Sequence, residues 1–122
     1  MSGERVFADT SALIHLLEGQ STATTLLHTA ETFISFISEI ELLASKRATK
    51  GQLEKAKALV NDCTVLDVNA RIKELTIDLR VRHGLKVPDC IIAATAMHLD
   101  LPLITADKGF DRLKDELLIY WL

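Results

Sequence analysis

The sequence has few cysteines, few aromatic residues and no long apolar run, and each shortage excludes a class of protein. Its two cysteines, Cys63 and Cys90, do not have the spacing of metal ligands, and a domain of 122 residues needs no disulfide to fold. No segment typical of a secretory signal opens the chain, so we expect a reducing, cytoplasmic setting. Charged residues and proline interrupt the apolar stretches before the roughly 18 residues that a membrane helix requires, so we expect a soluble protein.

The net charge is also small, so long-range electrostatic attraction of a strongly charged partner is weak. The formal net charge is only -3, and 48% of the residues are hydrophobic, as in globular rather than disordered chains. Aromatic residues make up 5% of the chain, which argues against a surface on which nucleic-acid bases stack. A nucleic acid would therefore have to be held by a local basic patch, a metal ion or a partner.

Short runs rich in β-branched and aromatic residues predict strands, because each run is too short for a stable helix. The predicted strands cover residues 5 to 8, 32 to 36, 64 to 68, 101 to 105 and 117 to 121. Segments of helical period lie at 10 to 19, 21 to 31, 38 to 49, 51 to 63, 70 to 84 and 88 to 100, with Gly51 parting the third from the fourth. This alternation predicts a mainly parallel sheet with helices on both faces. The expected fold class is α/β, as a single three-layer domain over residues 1 to 122.

Acidic residues stand at the ends of the predicted strands, where ligands bind in an open parallel sheet. Asp9 directly follows the first strand, and Asp107 follows the fourth. Glu41 falls in the first turn of the predicted helix after the second strand, and Asp89 begins the helix that leads into the fourth strand. We therefore expect the four carboxylates to meet in one crevice.

Helix capping is a sufficient explanation for each of these acids taken singly. Asp9 and Asp107 suit N-caps, at which aspartate is among the favoured residues. Ser38 and Glu41 have the spacing of a capping box, and Asp89 suits the positive end of a helix dipole. Only the set of four together favours a functional site.

A divalent cation would relieve the repulsion among four carboxylates in one crevice. Lys108 is the only basic residue in their immediate motifs. Oxygen ligands suit Mg²⁺ or Mn²⁺, and the lack of histidine and cysteine in the set argues against zinc. The hydroxyls of Ser11 and Thr105, each two residues from an acid, could extend the ligand shell or orient a water.

The stretches that carry these acids, FADTSALIHLL, ISFISEIELLAS and VPDCIIAATAMHLDLPLITADKGFDRL, resemble PIN-domain proteins, in particular the VapC toxins of toxin-antitoxin pairs. The resemblance implies a five-stranded sheet in the order 3-2-1-4-5 and a metal-dependent endoribonuclease site. The catalytic acids that would hold Mg²⁺ or Mn²⁺ are Asp9, Glu41, Asp89 and Asp107. Ser11 and Thr105 would give polar support. Glu39, two residues from Glu41, is expected to point to a different helix face.

The resemblance also implies partners, namely an RNA substrate, a second copy of the chain in a homodimer, and an antitoxin whose C-terminal segment covers the active site. Two basic clusters are candidates for holding RNA. The cluster at residues 46 to 50 is expected to be a solvated helix face. Arg80 and Arg82 are expected to contact RNA, because their segment leads directly into the motif of Asp89.

Two alternatives stay open. A phosphotransfer fold of the haloacid-dehalogenase or response-regulator type also has an aspartate after its first strand, but it requires a second acid close by, and the stretch ADTSA has none. A catalytically inactive PIN-like binding module, in which the acids only cap helices, is the other alternative. It predicts neither stabilisation by divalent metal nor RNA cleavage.

Overall fold

The strands are short and form one five-stranded sheet in the computed structural model, which describes residues 3–122. They span Arg5–Ala8 (β1), Glu31–Ser35 (β2), Thr64–Leu66 (β3), Leu103–Thr105 (β4) and Ile119–Trp121 (β5). Their order is β3-β2-β1-β4-β5 with every neighbouring pair parallel, so the strand order implied by the resemblance is confirmed. The carboxyl ends of all the strands therefore lie at one edge.

Helices connect the strands. They span Thr10–Leu17 (α1), Ser21–Leu27 (α2), Phe36–Leu43 (α3), Lys50–Asp62 (α4), Ala70–His83 (α5) and Val87–Leu99 (α6), with a 3-10 helix at Lys108–Leu113 between β4 and β5. Thr49 and Gln52 form a capping box at the start of α4. Gly84, at φ +67°, ends α5 in the left-handed conformation that glycine adopts readily. No helix within residues 3–122 is long and apolar enough to cross a membrane.

Two hydrophobic clusters fill the two sides of the sheet, because neighbouring residues of a strand point to opposite faces. On one side, Phe7 belongs to the same cluster as Leu79 of α5 and Ile92 of α6. On the other side, Val6 shares a cluster with Leu13 of α1. The predicted three-layer α/β arrangement is therefore confirmed.

The start of α3 differs from the prediction. The helix begins at Phe36, because Ser35 keeps the extended backbone of β2 and its hydroxyl accepts a hydrogen bond from the Ile37 N–H. The predicted capping box of Ser38 and Glu41 is therefore wrong. Glu41 lies in the second turn of α3 rather than in the first.

The boundary between α3 and α4 also differs, since Gly51 lies in the first turn of α4 and not between the two helices. Helix α3 already ends at Leu43, and residues 44 to 49 form the connection. Because Thr49 supplies the N-cap and Gln52 completes it, the glycine is not needed to interrupt the helix.

Candidate functional site

Asp9 is the only one of the four predicted acids that is buried, with 3% of its surface exposed. It directly follows β1 and N-caps α1. Its Oδ1 accepts hydrogen bonds from the Ser11 hydroxyl at 2.7 Å and from the Ala12 N–H at 2.8 Å, and its Oδ2 accepts one from the Thr105 hydroxyl at 2.5 Å. These donors fix the carboxylate, and capping accounts only for the bond from Ala12.

Ser11 and Thr105 connect Asp9 to the loop that follows β4. The Ser11 Oγ accepts a hydrogen bond from the Ala106 N–H at 3.0 Å, and the Thr105 Oγ1 accepts one from the Asp107 N–H at 2.9 Å. Each hydroxyl thus donates its hydrogen to Asp9 and accepts from the backbone of this loop. The two predicted support residues therefore couple the ends of β1 and β4.

Thr10 holds Glu41, a contact that the sequence did not indicate. Its Oγ1 donates to Glu41 Oε1 at 2.6 Å and lies 2.9 Å from the Ser38 Oγ. Because a carboxylate can only accept, Thr10 uses its hydrogen on Glu41 and Ser38 donates to Thr10. Both partners of Thr10 come from α3, so no local spacing in the sequence could have revealed the contact.

All four predicted acids line one open cleft of about 400 Å³ at the carboxyl edge of the sheet. The residues that line it are Asp9, Thr10, Ser11, Ile14, Glu41, Asp89, Ile92 and Asp107. Glu39 is not among them, in agreement with its expected position on a different face of α3. Ile14 and Ile92 add apolar walls that no motif indicated.

Repulsion and burial raise the pKa values of two acids in the cleft. Burial raises the pKa of Asp9 above its usual value, and the hydrogen bonds to its carboxylate oppose this effect. Burial also raises the pKa of Asp89, with further upward contributions from the negative charges of Asp107 and Glu41. The nearby cation of Lys86, the N-cap residue of α6, lowers the pKa of Asp89 and only partly offsets these effects.

Lys108, the cation nearest to the acids in the sequence, is engaged elsewhere. Its ammonium lies over the ring of Trp121, 4.3 Å from the ring centroid. The ion pairs found within residues 3–122 include none between Lys108 and an acid. The cleft therefore keeps an excess of negative charge.

The donor set of the cleft fits a hard divalent cation in its chemistry. It offers carboxylate and hydroxyl oxygens, the ligands that suit Mg²⁺ or Mn²⁺. As the side chains stand, no three acidic, histidine or cysteine residues among those described are grouped closely enough to hold a metal ion. Glu41 is held by Thr10, and Asp107 by the Gly109 N–H. Binding of a shared ion therefore requires rotation of some of these side chains.

The predicted RNA contacts Arg80 and Arg82 already have partners inside the protein. Arg80 donates to two carbonyl oxygens just beyond α5, at 3.0 and 2.7 Å. The Arg82 Nη2 lies 2.8 Å from Asp78 Oδ2 and 2.5 Å from Glu116 Oε1. A role of either arginine in RNA binding stays a prediction.

A second groove, of about 560 Å³, adjoins the cleft along α1, α3 and α4. Ile14 and Glu41 line both the groove and the cleft, so the two share a wall. The groove walls are largely apolar and include Leu17 and Leu42. Arg47 of the first basic cluster also lines this groove. It is exposed, as expected, but it lies in the connection between α3 and α4 rather than on a helix face.

Comparison with known proteins gives one family and a set of similar structures. The PIN domain family model matches residues 6–116. A search of curated proteins found no match. A chain of a toxin-antitoxin complex from Klebsiella pneumoniae is similar with 26% identity and a TM-score of 0.80, over 96% of this chain and 99% of that chain.

Two further structures share the fold at lower identity. A chain of VapBC2 from Rickettsia felis, bound to a DNA fragment from their promoter, has 16% identity and a TM-score of 0.82, over 97% of this chain and 98% of that chain. A chain of VapBC-1 from nontypeable Haemophilus influenzae has 23% identity and a TM-score of 0.74, over 96% of this chain and 97% of that chain.

Proposed function

Because the chain belongs to the PIN domain family, we propose that it is a metal-dependent endoribonuclease that acts as the toxin of a toxin-antitoxin pair. PIN domains of such toxins are generally nucleases, and the similar structure from Klebsiella pneumoniae is a toxin-antitoxin complex. We place its action on RNA in the cytoplasm. A catalytically inactive PIN-like binding module is the alternative.

The observation that carries this proposal is the convergence of four carboxylates in one cleft that keeps an excess of negative charge. Capping accounts for backbone contacts of Asp9 and Asp107. It gives no reason for Glu41 and Asp89 to face the same cleft, where repulsion destabilises the fold unless a cation is present. A metal site explains all four positions.

The acids that we assign to Mg²⁺ or Mn²⁺ are Asp9, Glu41, Asp89 and Asp107. When bound, such an ion neutralises charge on a phosphodiester and lowers the pKa of an attacking water. The chain prepares this site through its hydroxyl groups, since Ser11 and Thr105 orient Asp9 and Thr10 orients Glu41. Hydrogen-bonded neighbours of this kind position metal ligands.

An antitoxin and a second copy of the chain are the protein partners that we propose. The apolar groove beside the cleft suits a segment of the antitoxin, which would reach the acids past the shared residues Ile14 and Glu41. Ile77 and Val81, one turn apart on α5, are 59% and 78% exposed. They offer an apolar surface for a homodimer.

The experiment that tests the nuclease compares cleavage of total tRNA and mRNA by the purified protein with Mg²⁺, with Mn²⁺ and with a chelator. We expect metal-dependent cutting that Asp9→Asn lowers by more than about 100-fold, because loss of residues that only support a metal ligand already costs roughly 10- to 100-fold. Glu39→Gln is the matched control. It removes an equal charge from α3 outside the cleft and should cut like the wild type.

Melting temperatures separate the outcomes of this experiment. Absence of cutting by the wild type, together with no rise in melting temperature on adding Mg²⁺ or Mn²⁺, would identify the inactive binding module. A metal-dependent rise without cutting would retain the metal site and point to a substrate missing from the RNA tested.

A further inference from the structure

The rim of the cleft on the β5 side carries a lysine that rests on a tryptophan. Lys108 directly follows Asp107 of the cleft, and its ammonium lies 4.3 Å from the centroid of the Trp121 ring. Trp121 is paired in register with Thr105, whose hydroxyl holds Asp9. Neighbouring strands are about 4.8 Å apart, so the backbone of Trp121 lies one strand away from Thr105, at the same edge of the sheet as the cleft.

Lys108 is available to an anion in this position. Its side chain is exposed, and no ion pair within residues 3–122 involves it. The ring face takes up one side of the ammonium, which leaves N–H groups directed to solvent as hydrogen-bond donors. The contact with Trp121 also restricts a flexible side chain, so less conformational entropy is lost when an anion binds.

A cation at this rim would reduce the electrostatic repulsion between the acidic cleft and an RNA substrate. The protein has a net charge of -3 and concentrates four acids in the cleft, so a polyanion is repelled on approach. A lysine inside the cleft would compete with a metal ion for the carboxylates. Held on Trp121 instead, the ammonium leaves the acids to the metal and can attract the phosphate backbone beside them.

We infer that Lys108, positioned by Trp121, binds a backbone phosphate of the RNA next to the phosphodiester in the cleft. This inference rests on the proposed function, because it names how the same site holds its substrate. It differs from the expectation based on the sequence, which assigned RNA binding to Arg80 and Arg82.

The test measures RNA binding in an Asp9→Asn background with Mg²⁺ present, so that the RNA stays intact. A labelled, random-sequence single-stranded RNA and total tRNA are titrated at several salt concentrations. Lys108→Ala should weaken binding about fivefold at 0.1 M salt and reduce the salt slope by about 0.7, the contribution of one phosphate contact on a single strand. Lys108→Arg should restore most of the affinity.

Lys114→Ala is the matched control, since Lys114 is an exposed lysine at the end of the same 3-10 helix. It should leave affinity and salt slope unchanged. Trp121 is the only tryptophan of the chain, so its fluorescence is a second signal and should change when RNA binds.

The inference would be overturned if Lys108→Ala bound RNA with the same affinity and salt slope as its Asp9→Asn parent. It would also be overturned if Lys114→Ala weakened RNA binding as much as Lys108→Ala does. Absence of RNA binding by the parent would overturn it as well. Cleavage by the wild-type protein is followed separately. If the wild type cuts RNA but Lys108→Ala does not change binding, this inference alone is rejected. If the wild type neither binds nor cuts RNA, the proposed function is rejected as well.

Discussion

The acid cleft and the end of α5 both concentrate charged side chains, and they balance this charge in opposite ways. In the cleft, the pKa of Asp89 is raised by burial and by the surrounding acids, with Lys86 as a partial offset. At the end of α5, Arg82 lies between Asp78 and Glu116, and its hydrogen bonds lower the pKa of both carboxyls. The first group of charges destabilises the isolated fold, and the second stabilises it.

This difference indicates that the cleft is a binding site, whereas the charged group at the end of α5 is a structural contact. We name the second group, Asp78, Arg82, His83 and Glu116, the α5 clamp. It joins the end of α5 to the segment before β5, and the His83 Nε2 lies 2.7 Å from Glu116 Oε2. Its charges satisfy one another within the protein and need no ligand. The cleft lacks this internal balance, so a cation from outside can supply it.

The largest effect is expected from Asp89→Asn, which removes a charge from the cleft. Cleavage should fall by more than about 100-fold, because a proposed metal ligand is lost. In chelator, the same variant should melt at a higher temperature than the wild type, because the remaining acids are repelled less. Cleavage assays with Mg²⁺ and thermal melts in chelator measure the two effects.

The pH dependence of metal-free stability sharpens this prediction. The pKa of Asp89 in the folded protein lies above the ordinary 3.8, so the folded state takes up a proton before the unfolded chain does as the pH falls. This carboxyl therefore adds stability as the pH falls through its folded-state pKa toward 3.8. Asp89→Asn should lack that gain. A variant that melts below the wild type in chelator at neutral pH would contradict the account of the cleft.

A moderate effect is expected from Glu116→Gln in the α5 clamp, which should destabilise the fold, whereas Asp89→Asn in the cleft should stabilise it. It should lower the free energy of unfolding by about 1 kcal/mol, since one acid holds both Arg82 and His83. Added salt should reduce the difference. Cleavage should not change, because Glu116 does not line the cleft. Urea unfolding at two salt concentrations measures the loss.

The matched control is Glu74→Gln, which breaks an exposed ion pair with Arg71 on the same helix and should change stability little. The sign of the pH dependence is also opposite to that of the cleft. The pKa of Glu116 is below its ordinary 4.5, so its contribution is present above pH 4.5 and is lost as the pH falls through the folded-state value. Equal losses in the two variants would show that the α5 clamp is no more than two surface pairs.

Much of the fold and the positions of the acids could be predicted from sequence because they depend on local patterns. Apolar runs indicate strands, and residues that follow parallel strands meet at one edge. The prediction of α3 failed where two serines competed for the N-cap. Ser35 and Ser38 are both good caps, and the choice depends on where β2 stops pairing with its neighbours.

The contacts that distinguish the two charged groups could not be predicted, because each joins distant parts of the chain. Thr10 finds Glu41 in α3, and Arg82 finds Glu116 beyond β4. The sequence likewise shows Lys108 next to Asp107, whereas the fold places its ammonium over the ring of Trp121. Spacing indicates which charges lie near one another in sequence, and only the tertiary structure shows which of them are paired.

The smallest effect is expected from Arg82→Ala on RNA binding. Because Asp78 and Glu116 already balance this guanidinium, an RNA phosphate would have to displace them, so the salt slope should change by much less than the about 0.7 expected for one phosphate contact. The measurement is the RNA titration used for Lys108→Ala, made side by side. A slope reduced by the full amount would show that Arg82 leaves the α5 clamp to bind RNA, as its sequence motif suggested. The charges of the α5 clamp would then be paired within the protein only in the absence of RNA, and the contrast with the cleft would not hold for the complex with substrate.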